Sequence, residues 1–292
     1  FVFAWATEWV TFIGELTVLY LYYYGWHTNS RRMQLTLAIL YFVIAWFSLF
    51  IINGILTFML TPGAWTLENR DIAAAFFNPG YWPALVIRTL VMLALGGMFA
   101  FIVAARVQDG LKERIVAFAA RFVVPAALLL PLAAAWYWFS LPDEARELWR
   151  NGAVGVAGGR MEALNRYSWL AVFTGLLILL GTLVIAWKPR AVTMAAAIAL
   201  FATAQLSMLG GEFFREMARK PYVVHGVLYS NGLWKAPSKA PPALDRPYLA
   251  SALWAPPRAV PGSAAHGEWV YRLQCVSCHT LDGYRSLTPR TA

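Results

Sequence analysis

The sequence predicts an all-α membrane protein, a six-helix transmembrane bundle followed by a short tail outside the membrane. Three observations predict it. The 292 residues are 60% hydrophobic and only 13% charged, whereas soluble domains carry about 25% charged residues. Six apolar runs reach the roughly 20 residues that a helix needs to cross the hydrocarbon core. The basic residues gather in alternate short loops between those runs, which is a topogenic pattern. The net charge of +9 would suit a nucleic-acid partner, but its placement in these loops argues for a lipid membrane and no nucleic acid.

The runs fall near residues 3–25, 35–60, 83–105, 115–140, 167–187 and 191–217. Lipid forces backbone hydrogen bonds to close within each segment, so each is read as a helix. The opening FVFAWATEWV has no Met and is already apolar. It lacks the basic start and small-residue cleavage site of a signal peptide, so it reads as the middle of a protein, with upstream helices in a longer chain or supplied by another. The loops carrying Arg31 and Arg32, then Arg106, Lys112 and Arg114, then Lys188 and Arg190 are basic and expected in the cytoplasm. The others mix signs: Glu68, Arg70 and Asp71 in one, Asp143, Glu144, Arg146, Glu147 and Arg150 in the next. Six spans that start outside also end outside. Everything after about residue 220 is therefore expected on the periplasmic, extracytoplasmic side of a bacterial inner (cytoplasmic) membrane.

The tail divides by composition. Residues 1–220 form the expected bundle, 221–263 a linker and 264–292 a further segment. Within the linker, 233–263 is rich in Pro and Ala with no helical period, the composition of an extended tether. The loop from Trp149 to Arg160 has four glycines but lacks the Lys-Ser/Thr of a phosphate-binding loop, and reads as a plain loop.

Both cysteines of the chain lie in one motif, Cys275-Val276-Ser277-Cys278-His279. C-x-x-C alone can be a redox pair, but C-x-x-C-H is the pattern for covalent haem c, with Cys275 and Cys278 as thioethers and His279 on the iron. Zinc lacks a second ligand pair. The segment from 264 resembles the first helix of a small cytochrome c, with Gly267 and Tyr271 in fitting places. Such a domain runs on for several tens of residues and supplies a Met as sixth ligand. No Met follows Met217, so the domain is expected to be cut short or its distal ligand to come from elsewhere.

Charges within spans are costly, and each is a functional candidate. Glu8 and Glu15 are seven residues apart, on one helix face. As carboxylates in lipid they would be protonated, bonded to a partner or part of a proton path. Asn53, Arg88 and Arg121 also fall within spans. Glu212, Arg215, Glu216 and Arg219 recur at helical spacing at the end of the sixth run, and a solvated helix end is their alternative reading. The four histidines, His27, His225, His266 and His279, all lie outside span interiors. The chain alone therefore supplies no pair of histidines for a b haem in its bundle. Met92, Met98, Met194 and Met208 lie in spans and read as packing.

Four stretches, in order, resemble cytochrome bd quinol oxidase subunit I over roughly residues 1–230. GEFFREMARKPYVVHGVLYSNG (Gly211–Gly232) is similar to that family's G-W-x-x-x-E-x-G-R-Q-P-W-x-V segment. EWVTFIGELTVLYLYYYGW (Glu8–Trp26) is similar to its third helix, IINGILTFMLTPGAW (Ile51–Trp65) to the next helix end, and FFNPGYWPALVIRTLVMLALGGMF (Phe76–Phe99) to the Asn-Pro and helix after that. The resemblance implies that Glu216 ligates a high-spin haem b with Arg219 beside it, and that Glu15 and Glu8 lie on a proton path, Glu8 at a spacing off by one.

There are departures. The family's first two helices, with an active-site haem ligand, have no counterpart. Arg88 stands where a low-spin haem His is expected, and Arg166-Tyr167-Ser168 replaces an Arg-x-Met. The quinol loop is short, and the oxidases have no fused cytochrome c.

Together these imply a bd-like membrane subunit of a respiratory electron-transfer complex. It would work between its periplasmic c haem and membrane-embedded redox centres or the quinone pool, with haem b shared with other membrane subunits and with periplasmic cytochromes or quinol as partners. Two alternatives stay open: a cytochrome c-fed bd-type oxygen reductase subunit, and a degenerate, non-catalytic scaffold that anchors a cytochrome c. In the latter, Arg88 would fill a vacant haem cavity or pair with Glu15 or Glu8.

Overall fold

A computed structural model describes residues 2–66, 68–107, 110–143, 145–147, 162–219, 222–229 and 263–271. The long elements are α1 (Val2–Tyr24), α2 (Arg31–Phe58), α4 (Tyr81–Ala104), α5 (Leu111–Ser140), α6 (Glu162–Trp187) and α7 (Met194–Arg219), with a short α3 (Ile72–Phe76) between α2 and α4. A two-stranded hairpin, β1 (Tyr222–Val224) and β2 (Leu228–Tyr229), follows α7, and α8 spans Ala264–Val270. The chain is thus predominantly helical, as expected.

Five helical segments are long and apolar enough to cross a membrane: Arg31–Phe58, Tyr81–Ala104, Leu111–Ser140, Arg166–Trp187 and Met194–Glu216. The protein is a multi-pass membrane protein. The first expected span also forms a helix, the 23-residue α1. Glu8, Glu15 and the tyrosines that end it lower its hydropathy, and it stands outside this set.

The helices start and stop where local chemistry directs. The Ser30 hydroxyl accepts from the Met33 amide at 3.2 Å and opens α2, and Asp71 accepts from the amides of Ala73 and Ala74 to open α3. Such caps satisfy amides that the first turn leaves without partners. A 3₁₀ turn over Pro189–Ala191 separates α6 from α7.

The chain falls into two compact units, one of Phe1–Leu141 with Gly175–Ala204, the other of Pro142–Thr174 with Gln205–Ala292. In the first, α4 packs on α5 through small residues: Ala94 and Gly97 face Ala119, Val123 and Ala126. A Cβ on Gly97 would sit 2.2 Å from Val123 Cγ2 and 3.2 Å from the Ala119 carbonyl, so only glycine lets the backbones meet this closely. Met98, Phe101 and Val116 extend this core, with Ile178, Ile185, Val192 and Leu200 packed into it. In the turn after α6, the Arg190 side chain pairs with Glu113 in the first turn of α5, which holds that guanidinium above its ordinary pKa. Lys112 Nζ donates to the Arg190 carbonyl at 3.2 Å.

A buried polar knot joins α2, α3 and α4. Asn53 Nδ2 donates to the Tyr81 carbonyl at 2.9 Å, and the Tyr81 hydroxyl donates to the Phe50 carbonyl at 3.1 Å. Asn78 Nδ2 donates to Thr57 Oγ1 and to the Ala75 carbonyl, both at 3.0 Å. Thr61 Oγ1 donates to Asn78 Oδ1 at 2.8 Å and accepts from the Gly80 amide at 3.1 Å. Asn53 and Tyr81 are 0% exposed, and Asn78 and Thr61 2%. Asn53, noted in the sequence as a polar residue within a span, and the Asn78 of the Asn-Pro pair are parts of this knot.

In the second unit, the Tyr167 ring stacks on Phe213 at 4.6 Å and Ser207 donates to the Ala171 carbonyl at 3.2 Å. Residues at the start of the expected linker form the hairpin. Tyr222 is registered with Tyr229 and Val224 with Leu228, and Gly226 takes the left-handed φ of 70° in its turn.

Asn78→Ala strips the knot of its central donor and acceptor. The expected loss is about 2 kcal/mol, the cost of leaving buried hydroxyl and amide groups without partners. A thermal melt of the purified protein in detergent checks it against wild type.

Candidate functional site

The last two turns of α7 carry Glu212, Arg215, Glu216 and Arg219. Helical spacing of three and four puts them in mutual reach. Arg215 Nε lies 2.8 Å from Glu212 Oε2, and Arg215 Nη2 lies 4.0 Å from Glu216 Oε2. Arg219 pairs with Glu216 Oε1 through Nη2. Arg219 Nη1 donates to the carbonyls of Tyr222 at 3.1 Å and Val223 at 3.0 Å. One guanidinium thus closes the helix end, grips the first strand and fixes a carboxylate.

The burial of these side chains falls into a gradient. Glu212 is 50% exposed, Glu216 35%, Arg215 17% and Arg219 7%. In each pair the carboxylate is the more exposed partner and the guanidinium the more buried. Arg219 is the most buried of the four, a cation held by a carboxylate and two carbonyls. His225 is also buried and sets its ring edge-on to Tyr222, with centroids 5.1 Å apart. In the sequence His225 registers only as a residue past the last helix. The Tyr-Val-Val before it and the Gly226 after it are the hairpin signal that marks it as enclosed.

This donor set fits a limited kind of metal chemistry. Among the described residues, no group of three or more His, Cys, Asp or Glu side chains gathers to hold a metal ion. A bare ion with an all-protein ligand shell is therefore not built here. A porphyrin supplies four nitrogens itself and needs only an axial donor. A single carboxylate such as Glu216, charge-balanced by Arg219, meets that requirement.

Glu8 and Glu15 lie on α1, in the first unit, and both are half-buried. The Ser48 hydroxyl of α2 donates to Glu8 Oε1 at 3.5 Å. Glu15 makes no side-chain hydrogen bond or ion pair among the described residues. Arg88 is half-buried on α4. Beside it, Thr89 Oγ1 accepts from Trp46 Nε1 at 3.2 Å. Cys275, Cys278 and His279 lie outside the described residues, as do the glycine-rich loop Trp149–Arg160 and the tether up to residue 262. The α8 helix, just upstream of the motif, is described. Its first turn closes with the Gly267 amide donating to the Ser263 carbonyl at 3.0 Å.

Arg219→Ala removes the clasp between α7 and the hairpin. A loss of about 2 kcal/mol in local stability is expected, in the range for hydrogen bonds to a charged group. It is read as faster amide exchange at residues 222–229, with α4 and α5 unaffected. No family model matches the chain and no curated protein matches its sequence, so its own residues carry the functional reading.

Proposed function

We propose that this chain is a bd-like membrane subunit of a respiratory electron-transfer complex. It passes electrons between a c-type haem on its extracytoplasmic tail and redox centres in the membrane or the quinone pool. The observation that carries this reading is the C-x-x-C-H at Cys275–His279, downstream of a body built from five apolar membrane helices. Cys275 and Cys278 form the thioethers and His279 binds the iron. Bound there, the haem supplies a one-electron couple that no side chain of the bundle offers.

The rest of the chain positions and balances charge. Arg219 holds the Glu216 carboxylate at the end of α7, and this carboxylate would hold the iron of a haem b shared with partner subunits. Glu8, in reach of the Ser48 hydroxyl, and Glu15 hold and pass protons along α1. The tail lies on the periplasmic side of a bacterial inner membrane, where periplasmic cytochromes reach it.

One observation favours a second reading. Arg88 stands where the resemblance to the bd oxidases calls for a haem-ligating His, and a guanidinium stays protonated and cannot bind iron. On this reading the bundle is a scaffold that anchors a cytochrome c and docks other subunits.

Pyridine haemochrome analysis of the complex purified from its native membrane separates the two. One haem c per chain together with haem b, the latter diminished in Glu216→Gln, is the expected outcome. One c and no b moves the assignment to the scaffold. Haem-dependent peroxidase staining of the chain, lost in Cys275→Ala/Cys278→Ala, is expected on both, and its absence from the wild type would falsify both.

A further inference from the structure

We propose that the first three turns of α5 hold the head group of an anionic phospholipid between Arg114 and Arg121. The inference stands on the structure of α5 and does not depend on the redox reading.

Helix length places this stretch at the membrane surface. α5 has 30 residues, about 45 Å at 1.5 Å per residue, against a hydrocarbon core of about 30 Å. From Phe122 to Ser140 it carries no charged residue, and that part alone spans about 28 Å. The stretch Leu111–Arg121 is what remains, at the level of the lipid phosphates.

Arg114 and Arg121 are seven residues apart, on one face of the helix and about 10 Å apart along its axis. They bound a surface pocket of about 520 Å³ whose other lining residues are Ile115, Ala117 and Phe118. Phe118 is 60% exposed and packs edge-on against Phe122 at 5.3 Å, so the pocket floor is apolar and continues toward the hydrocarbon.

Neither arginine has an ion pair or side-chain hydrogen bond among the described residues, and both are exposed. Among the described neighbours, Glu113 pairs with Arg190, and Lys112 donates to the Arg190 carbonyl. A guanidinium at the edge of the hydrocarbon with no counter-charge is costly, and its fork of donors matches a phosphate in two-point geometry. Two such forks above an apolar floor, at phosphate depth, complement a negatively charged head group with its acyl chains running down past Phe118 and Phe122. A partner subunit's carboxylate would answer the charge but not the apolar floor open toward the membrane interior.

The full chain in detergent is titrated with phosphatidylglycerol, phosphatidylcholine or inorganic phosphate, and bound lipid is read by native mass spectrometry. Wild type is expected to retain phosphatidylglycerol and not phosphatidylcholine, with inorganic phosphate failing to displace it. Arg114→Gln/Arg121→Gln is expected to bind phosphatidylglycerol on the order of 30-fold more weakly, from roughly a factor of five per arginine at an anionic surface. Arg114→Lys/Arg121→Lys should lose less. Undiminished binding in the glutamine variant overturns the proposal, as does displacement by inorganic phosphate. A photoreactive side chain at position 118 is expected to label lipid in native membranes, and labelling a protein subunit instead also overturns it. If the double variant fails to give a cooperative melt, Arg114→Gln alone decides the question at the single-arginine factor.

Discussion

Lipid offers no hydrogen bonds, and that constraint orders everything else in this protein. Each polar group within the bundle needs a partner supplied by the chain, or it imposes a cost of several kcal/mol. The knot of Asn53, Thr57, Thr61, Asn78 and Tyr81 is the fullest answer to it. Five side chains from α2 and from the loop and start of α4 exchange hydrogen bonds with one another and with backbone carbonyls. Their geometry is therefore specified far more tightly than apolar packing against lipid would specify it. The α4 helix inherits its start from this knot.

Packing then follows from shape, because lipid tails are as apolar as the helices and burial of apolar surface drives little association. The α4–α5 contact is built on Gly97, Ala94, Ala119 and Ala126, residues whose value lies in what they leave out. Close backbones give many weak attractive contacts. The long apolar side chains are left to face outward, as Leu129, Leu132 and Phe139 of α5 do.

Charges are handled in three ways, and the differences mark where function sits. Glu113 and Arg190 pair in the open, at a loop. Arg219 is drawn inside and held by a carboxylate and two carbonyls, so a cation becomes a structural clasp that also orients Glu216. Arg114 and Arg121 meet no side-chain partner among the described residues and are exposed on α5. An arginine satisfied by its own chain braces the fold, and one left unsatisfied at a defined depth selects what binds there.

Hydropathy and segment length determined the class of this protein from the sequence alone. Crossing a lipid core requires a run of apolar residues whatever its neighbours are, so six apolar runs could be read locally, five of which match helices long and apolar enough to span. The C-x-x-C-H is legible for the same reason: its chemistry needs only residues adjacent in the chain. The ends of α7 and the pairing of Glu216 with Arg219 were half legible, since helical spacing shows which charges can meet but not which are buried. Only the tertiary structure decided that Asn53 reaches Tyr81 and Asn78 reaches Thr57 and Thr61, that Glu8 meets Ser48, and that His225 is enclosed in a hairpin. Those outcomes depend on residues brought together from distant points of the chain. No local pattern encodes which of several capable donors will find which acceptor.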